Sequence, residues 1–205
     1  PAWLQKMVDN NWLGDKTGQG FFKKVKSGGQ TEILTLDLKT MEYGPRNKPK
    51  FATIEAAKPL DDLRQRIKAL CGGGDKAGEF YRHFHYGMFS YISRLYLEIS
   101  DELYRVDDAM MAGFGWEIGA YESWDVLCVA KTVENMKKAG YPVAAWVEEM
   151  IANGHSSFYK VENGNRLCYS PASGTYVTTV AKGQESAFIV MKNFAGQSVW
   201  KNSAC

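Results

Sequence analysis

The chain has 205 residues, 45% hydrophobic and 23% charged, values that suit a globular protein with a real core and argue against disorder. Twenty-five basic and 23 acidic side chains leave a net charge of +2, too weak a field to indicate nucleic acid or an anionic membrane as partner. Cys71, Cys128, Cys168 and Cys205 lie far apart with no CxxC pair, which suits free thiols in a reducing cytoplasm and argues against a cysteine zinc site. No apolar run reaches bilayer length, and no charged-then-apolar leader opens the chain. Pro1 begins within a helical pattern and residues 198–205 read as the start of another element, so a segment of a longer protein is expected.

In chain order, Trp3, Leu4, Met7, Val8 and Trp12 predict a helix that stops at Gly14. The glycine-rich run that follows mimics two phosphate loops and fails as both. Asp15 rather than glycine precedes Lys16, and Gly18-x-Gly20 has Lys23 where a third glycine belongs, with no strand before it. A turn laying Phe21 and Phe22 on a core is the expectation. Residues 31–43 predict a short strand pair with a turn near Asp37–Thr40. Residues 44–50, rich in proline and basic side chains, read as a connector and a soft boundary.

Beyond it Thr53 is a candidate N-cap, and Pro59 restarts a helix whose stripe is Leu60, Leu63, Ile67 and Leu70. Gly72–Gly74 end that helix and Asp75 caps the longest one. There Phe80, Phe84, Met88, Tyr91, Leu95 and Ile99 recur at three and four residues and predict the buried stripe. His83 and His85 point roughly 200° apart at 100° per residue, so they cannot share a metal, and His155 stands alone in a loop. The central stretch, Val106–Val129, predicts a helix through Val106, Met110 and Met111 with a left-handed stop at Gly113. A turn of rings and glycines follows, then a helix presenting Tyr121, Trp124, Leu127 and Cys128. Thr132 caps a further helix that closes at Gly140. Pro142 opens another, through Val143, Trp146, Val147, Met150 and Ile151, which ends at Asn153-Gly154.

From Ser157 the period becomes alternating. Turn signals at Asn163-Gly164 and at residues 171–174 separate three short runs, a three-stranded meander, and Phe188–Met191 could add a strand. Aromatics on such strands could stack on bases, but no basic stripe accompanies them. Residues 14–22 and 74–81 echo each other, a weak sign of duplication.

Asp108-Ala109-Met110, the turn from Gly113 through Gly115 to Trp116, and Gly119-Ala120-Tyr121-Glu122 with Asp125 following resemble the C-terminal helical domain of the L-3-hydroxyacyl-CoA dehydrogenases. The run Lys16-Thr17-Gly18-Gln19-Gly20-Phe21 is similar to that domain's closing KTGxGF phrase, and it comes first here. The resemblance implies a mainly α fold of the 6-phosphogluconate dehydrogenase C-terminal type, with a small antiparallel meander near the C-terminus. In that scheme 1–30 end a first helical repeat, 31–52 form a β-rich connector, 53–154 a second repeat, and 155–205 lead toward a missing domain. It further implies a cytoplasmic multifunctional enzyme of fatty-acid β-oxidation, acting on acyl-CoA. NAD would be bound by a domain outside this chain, an enoyl-CoA hydratase domain would be fused, and homodimers could form. Lys16, Thr17, Gly18, Gly20, Phe21, Gly115, Gly119, Tyr121 and Glu122 would be structural or substrate-side residues. No catalytic or metal-binding residue carries over. Ala120 stands where the family has proline, and Ser93-Arg94-Leu95 has serine where the family has a substrate-contacting asparagine. The alternative is a non-catalytic structural or interaction module with a degenerate repeat.

Overall fold

A computed structural model describes residues 1–179; the strand expected at Phe188–Met191 lies outside them. The described residues are mainly α, with eight α-helices and two small antiparallel sheets of three strands each. The chain divides after Lys50 into two compact units.

The first unit begins with α1 (Ala2–Asp9), which ends short of Gly14. Asn11 turns to φ 58°, and the Trp12 amide donates back to Met7 O. A 3-10 turn (Asp15–Thr17) leads into β1 (Phe22–Ser27), β2 (Gln30–Leu36) and β3 (Tyr43–Pro45), in the order β1-β2-β3. The strand pair of the sequence reading is therefore three strands. β1 has a weak strand signal because Lys23, Lys24 and Lys26 leave it little apolar alternation. Gly28 and Gly29 both take positive φ, the geometry of a two-residue hairpin turn. The turn near Asp37 is present, with its carboxylate accepting from the Lys39 amide at 2.7 Å. Phe21 and Phe22, expected on a core, are about half exposed.

The second unit runs α2 (Ala52–Ala57), α3 (Leu63–Gly72), α4 (Lys76–Ile99), α5 (Leu103–Phe114), α6 (Ala120–Val126), α7 (Val129–Lys138) and α8 (Ala145–Ala152). β4 (Tyr159–Glu162), β5 (Asn165–Ser170) and β6 (Thr175–Thr178) follow as the predicted meander. Asn163 and Gly164 at φ 51° and 77° make its first turn, as an Asn-Gly pair should. Asp75 caps α4 by accepting from the Ala77 and Gly78 amides.

Other caps differ from expectation. Thr53 lies inside α2, and its amide donates to the Asp75 carboxylate. Asp62 caps α3, so Pro59 and Leu60 precede that helix. Thr132 lies inside α7 and donates to Leu127 O, while Pro142 precedes α8 by three residues. At α2 and α3 an aspartate took the role that local propensity offered to another residue, whereas α7 and α8 start without a side-chain cap.

The core gathers on α4, but on a different stripe from the predicted one. His85, Tyr86, Phe89, Ile92, Ser93 and Tyr96 are buried, whereas Phe80, Phe84, Tyr91 and Ile99 are exposed. The two stripes lie about 100° apart, one residue's rotation. Phe89 stacks on Trp124 with centroids 4.6 Å apart and planes within 3°, and Phe158 packs against Trp124 and Tyr121. Each such buried ring contributes about 2–3 kcal/mol of transfer free energy.

Candidate functional site

The corner between α5 and α6 is held by a buried carboxylate. α5 continues past Gly113 and stops at Gly115, whose φ of 67° supplies the left-handed turn two residues later than expected. Asp107, 1% exposed, faces the N-terminus of α6 and accepts from the Tyr121 amide at 2.9 Å and the Glu122 amide at 3.0 Å. These are orphan donors of a helix start, satisfied by a side chain 14 and 15 residues away rather than by a local cap. The Tyr159 hydroxyl donates to the same carboxylate at 2.9 Å, joining β4 to the corner. Gly119 is forced by this arrangement. A β-carbon there would stand 2.2 Å from Asp107 Cγ.

A second carboxylate repeats the device. Asp125 accepts from the Phe158 and Tyr159 amides at 2.7 and 2.9 Å, tying α6 to the start of β4. Glu122 stays nearer solvent, with Arg64 at 2.7 Å and Arg166 at 3.6 Å. Burial pushes Asp107 up to about 6 and Asp125 up to about 7, against the pull of their amide donors; the charge of Glu122 raises both further. Tyr159 is raised far above its usual range by the same burial. α6 ends at Val126, so Leu127 and Cys128 lie beyond the helix expected to carry them.

The family-motif residues therefore separate into three places. Gly119, Tyr121 and Glu122 surround Asp107, and Tyr121 is fully buried with its hydroxyl on Ile92 O. Gly115 instead lines an apolar cleft of about 350 Å³, together with Leu63, Phe84, Met88, Trp116 and Ile118. Lys16, Thr17, Gly18, Gly20 and Phe21 belong to the first unit. There Thr17 Oγ1 accepts from the Leu13 amide and lies 3.1 Å from both Gly14 O and Gln19 O. Gly18 is left-handed, and a β-carbon on Gly20 would meet Gly14 backbone at 2.8 Å. Lys16 is exposed, and Phe21 pairs with Trp3.

The corner is held by Asp107 and not by its neighbour Asp108, which the family phrase singles out. One signal was present: Asp107 is four residues from Leu103 and so shares its buried face. Its contacts with Tyr159 and with the α6 amides had no sequence signal.

The histidines sit apart. His83 Nδ1 is 2.9 Å from the Tyr141 hydroxyl at the surface, while His85 is buried with Nδ1 on Tyr81 O at 2.7 Å and beside Cys71 Sγ at 3.5 Å. Burial lowers His85 and pushes the Cys71 thiol up to about 11, so this pair is not an activated nucleophile. Among the described residues no group of three or more His, Cys, Asp or Glu could hold a metal ion. A dinucleotide does not fit the glycine turns either. The run from Gly18 to Gly20 leads into a strand, and Gly72–Gly74 join two helices, whereas a pyrophosphate cradle runs from strand to helix.

Comparison with known proteins decides the family. The chain is 36% identical over 169 residues, 82% of its length, to a Bacillus subtilis protein described as "Probable 3-hydroxyacyl-CoA dehydrogenase". The chain belongs to the 3-hydroxyacyl-CoA dehydrogenase family. A Rickettsia prowazekii protein, whose printed name includes "fatty acid oxidation complex trifunctional enzyme", is 21% identical over 58% of the chain, and its Rickettsia felis counterpart matches equally. The chain spans about a fifth of the length of the Bacillus relative and less of the others: 21% and 15%. No family model matches, and no solved structure does. Among the described residues, no helix is long and apolar enough to cross a membrane.

Proposed function

We propose that this chain is the helical, substrate-side and docking segment of a larger NAD-dependent 3-hydroxyacyl-CoA dehydrogenase of fatty-acid oxidation, with the fold of the 6-phosphogluconate dehydrogenase C-terminal domain. In this reading 1–30 close a first repeat, 31–52 connect, 53–154 form the second repeat, and 155–205 lead toward a hydratase domain. The parent oxidises 3-hydroxyacyl-CoA to 3-oxoacyl-CoA in the cytoplasm. NAD and the base that takes the hydroxyl proton belong to a domain outside this segment.

The observation that carries the reading is the apolar cleft beside the family corner, where Trp116, Ile118, Phe84 and Met88 offer a wall to an acyl chain. Asp107 does not line that cleft. With all of its donors internal, it acts on the corner's shape rather than on a substrate. Gly119, Tyr121 and Glu122 take the same structural role.

Two measurements test this. The isolated chain, given NAD and 3-hydroxybutyryl-CoA, is expected to produce no NADH; turnover above the blank overturns the assignment of chemistry to a missing domain. Titration with a medium-chain acyl-CoA is expected to shift tryptophan fluorescence through Trp116, and W116F is expected to remove that shift. Silence in the wild type favours the second reading, a scaffold with no substrate contact. That reading draws on the exposed stripe Phe80, Phe84, Tyr91 and Ile99 of α4, which suits a homodimer or a docked domain.

A further inference from the structure

Another cleft of the second unit, about 690 Å³, lies between the C-terminal end of α3, the first half of α4 and the first turns of α7. Its charge is one-sided. Lys68, Arg82 and Lys131 line it, and no aspartate or glutamate does. In a chain whose charges nearly balance, three cations around one cleft without a carboxylate form a local excess. None of the three enters an ion pair among the described residues.

Arg82 is also fixed. Its guanidinium donates to Cys71 O at 2.9 Å and to Gly73 O, carbonyls that hold the side chain without neutralising it. Tyr86, Asn135 and Thr132 line the same cleft. The first turn of α7 borders the cleft with no side-chain cap on its amides, so the positive end of that helix faces the same space. Cys128, which precedes α7, takes φ 65°, a backbone conformation that residues with a β-carbon seldom adopt. It leaves an exposed free thiol on the cleft's rim.

We infer that this basic cleft binds a phosphate-bearing ligand of nucleotide size, with Lys68, Lys131 and Arg82 supplying the charge that recognises it. The volume falls in the range of small-molecule and cofactor sites, and the polar set consists of cations with an amide and two hydroxyls, donors that suit an oligoanion. The inference does not rest on the dehydrogenase reading, because it concerns a charged head group and no acyl chain.

The test uses the full chain in a C205S background, so that thiol labelling reads Cys128; Cys71 and Cys168 are buried. Two probes, adenosine 3′,5′-bisphosphate and inorganic pyrophosphate, separate a nucleotide from a bare phosphate. Saturating probe is expected to slow Cys128 labelling several-fold. The K68Q/K131Q double variant is expected to weaken binding roughly tenfold for each ammonium group removed. Adenosine 3′,5′-bisphosphate binding more tightly than pyrophosphate marks the nucleotide-sized ligand; equal affinities reduce the site to a bare phosphate and overturn the size assignment. Lys68 and Lys131 are exposed, so the double variant is expected to keep its helical circular dichroism and melting temperature. Arg82 is left intact because it also holds the end of α3. Labelling that is unchanged by both probes, or affinity that is unchanged in the double variant, overturns the inference.

Discussion

Residues 1–50 bury two hydrophobic side chains, Met7 and Leu36, whereas residues 51–179 enclose a continuous aromatic core around Phe89, Tyr96, Tyr121, Trp124 and Phe158. The first unit's aromatics meet at its surface instead, Trp3 with Phe21 and Trp12 with Tyr43. It is held mainly by strand ladders and by backbone contacts around Thr17 and Gly20, including the Tyr43 hydroxyl on Gly20 O at 2.6 Å. The second unit adds a buried carboxylate, Asp107, and a half-buried one, Asp125, to an apolar interior. The contrast separates two ways of fixing a shape. A small unit relies on chain geometry because it has little interior to fill, while a larger one can hold charged groups in its interior by satisfying them.

Three changes sharpen or break that contrast. The largest effect is expected from G119A, since its β-carbon must displace the Asp107 carboxylate from the α6 amides. A loss of about 3 kcal/mol in urea unfolding of the second unit is expected. A loss within ordinary surface-substitution range would show that Asp107 does not organise the corner.

The second is pH. Asp107 and Asp125 carry folded values of about 6 and about 7, raised above their ordinary 3.8 by burial. The folded state thus binds protons that the unfolded state has released. Their contribution is fully present below the unfolded value and is lost as pH rises through the folded values. Stability is expected to fall by about 2 kcal/mol between pH 6 and pH 8, the reverse of a salt-bridged carboxylate. The D107N/D125N variant is expected to flatten that slope in denaturant titrations, and a slope left unaltered would assign it to other groups.

The smallest effect, about 1–2 kcal/mol, is expected from G20A, where a β-carbon would press on Gly14 backbone. Amide exchange is expected to quicken across the first unit alone. If the second unit's amides quicken equally, the two units do not respond separately, and the contrast fails.

What the sequence showed and what it hid follow from the range of each interaction. The Asp75 cap, the break at Gly72–Gly74, the Asn163-Gly164 turn and the meander were legible because each rests on residues within a few positions of one another. The family phrases were legible too, and the corner at Val106–Val129 does join two helices. Asp107 was not legible, because its partners are 14 to 52 residues away. The basic cleft was hidden for the same reason: its cations come from α3, α4 and α7.

The sequence by itself determined that residues 76–99 would be one long helix, begun by an aspartate and carrying aromatic rings on more than one side. It could not decide which rings would be buried, because both stripes have helical spacing and both carry aromatic rings. Tertiary packing chose the stripe through Tyr86, Phe89, Ile92 and Tyr96, where Ser90 and Ser93 are small enough for a close neighbour and Trp124 stacks on Phe89. Phe80, Phe84 and Tyr91 were left outside. Periodicity records that a helix has an apolar face; only the partner's shape selects the one that is covered.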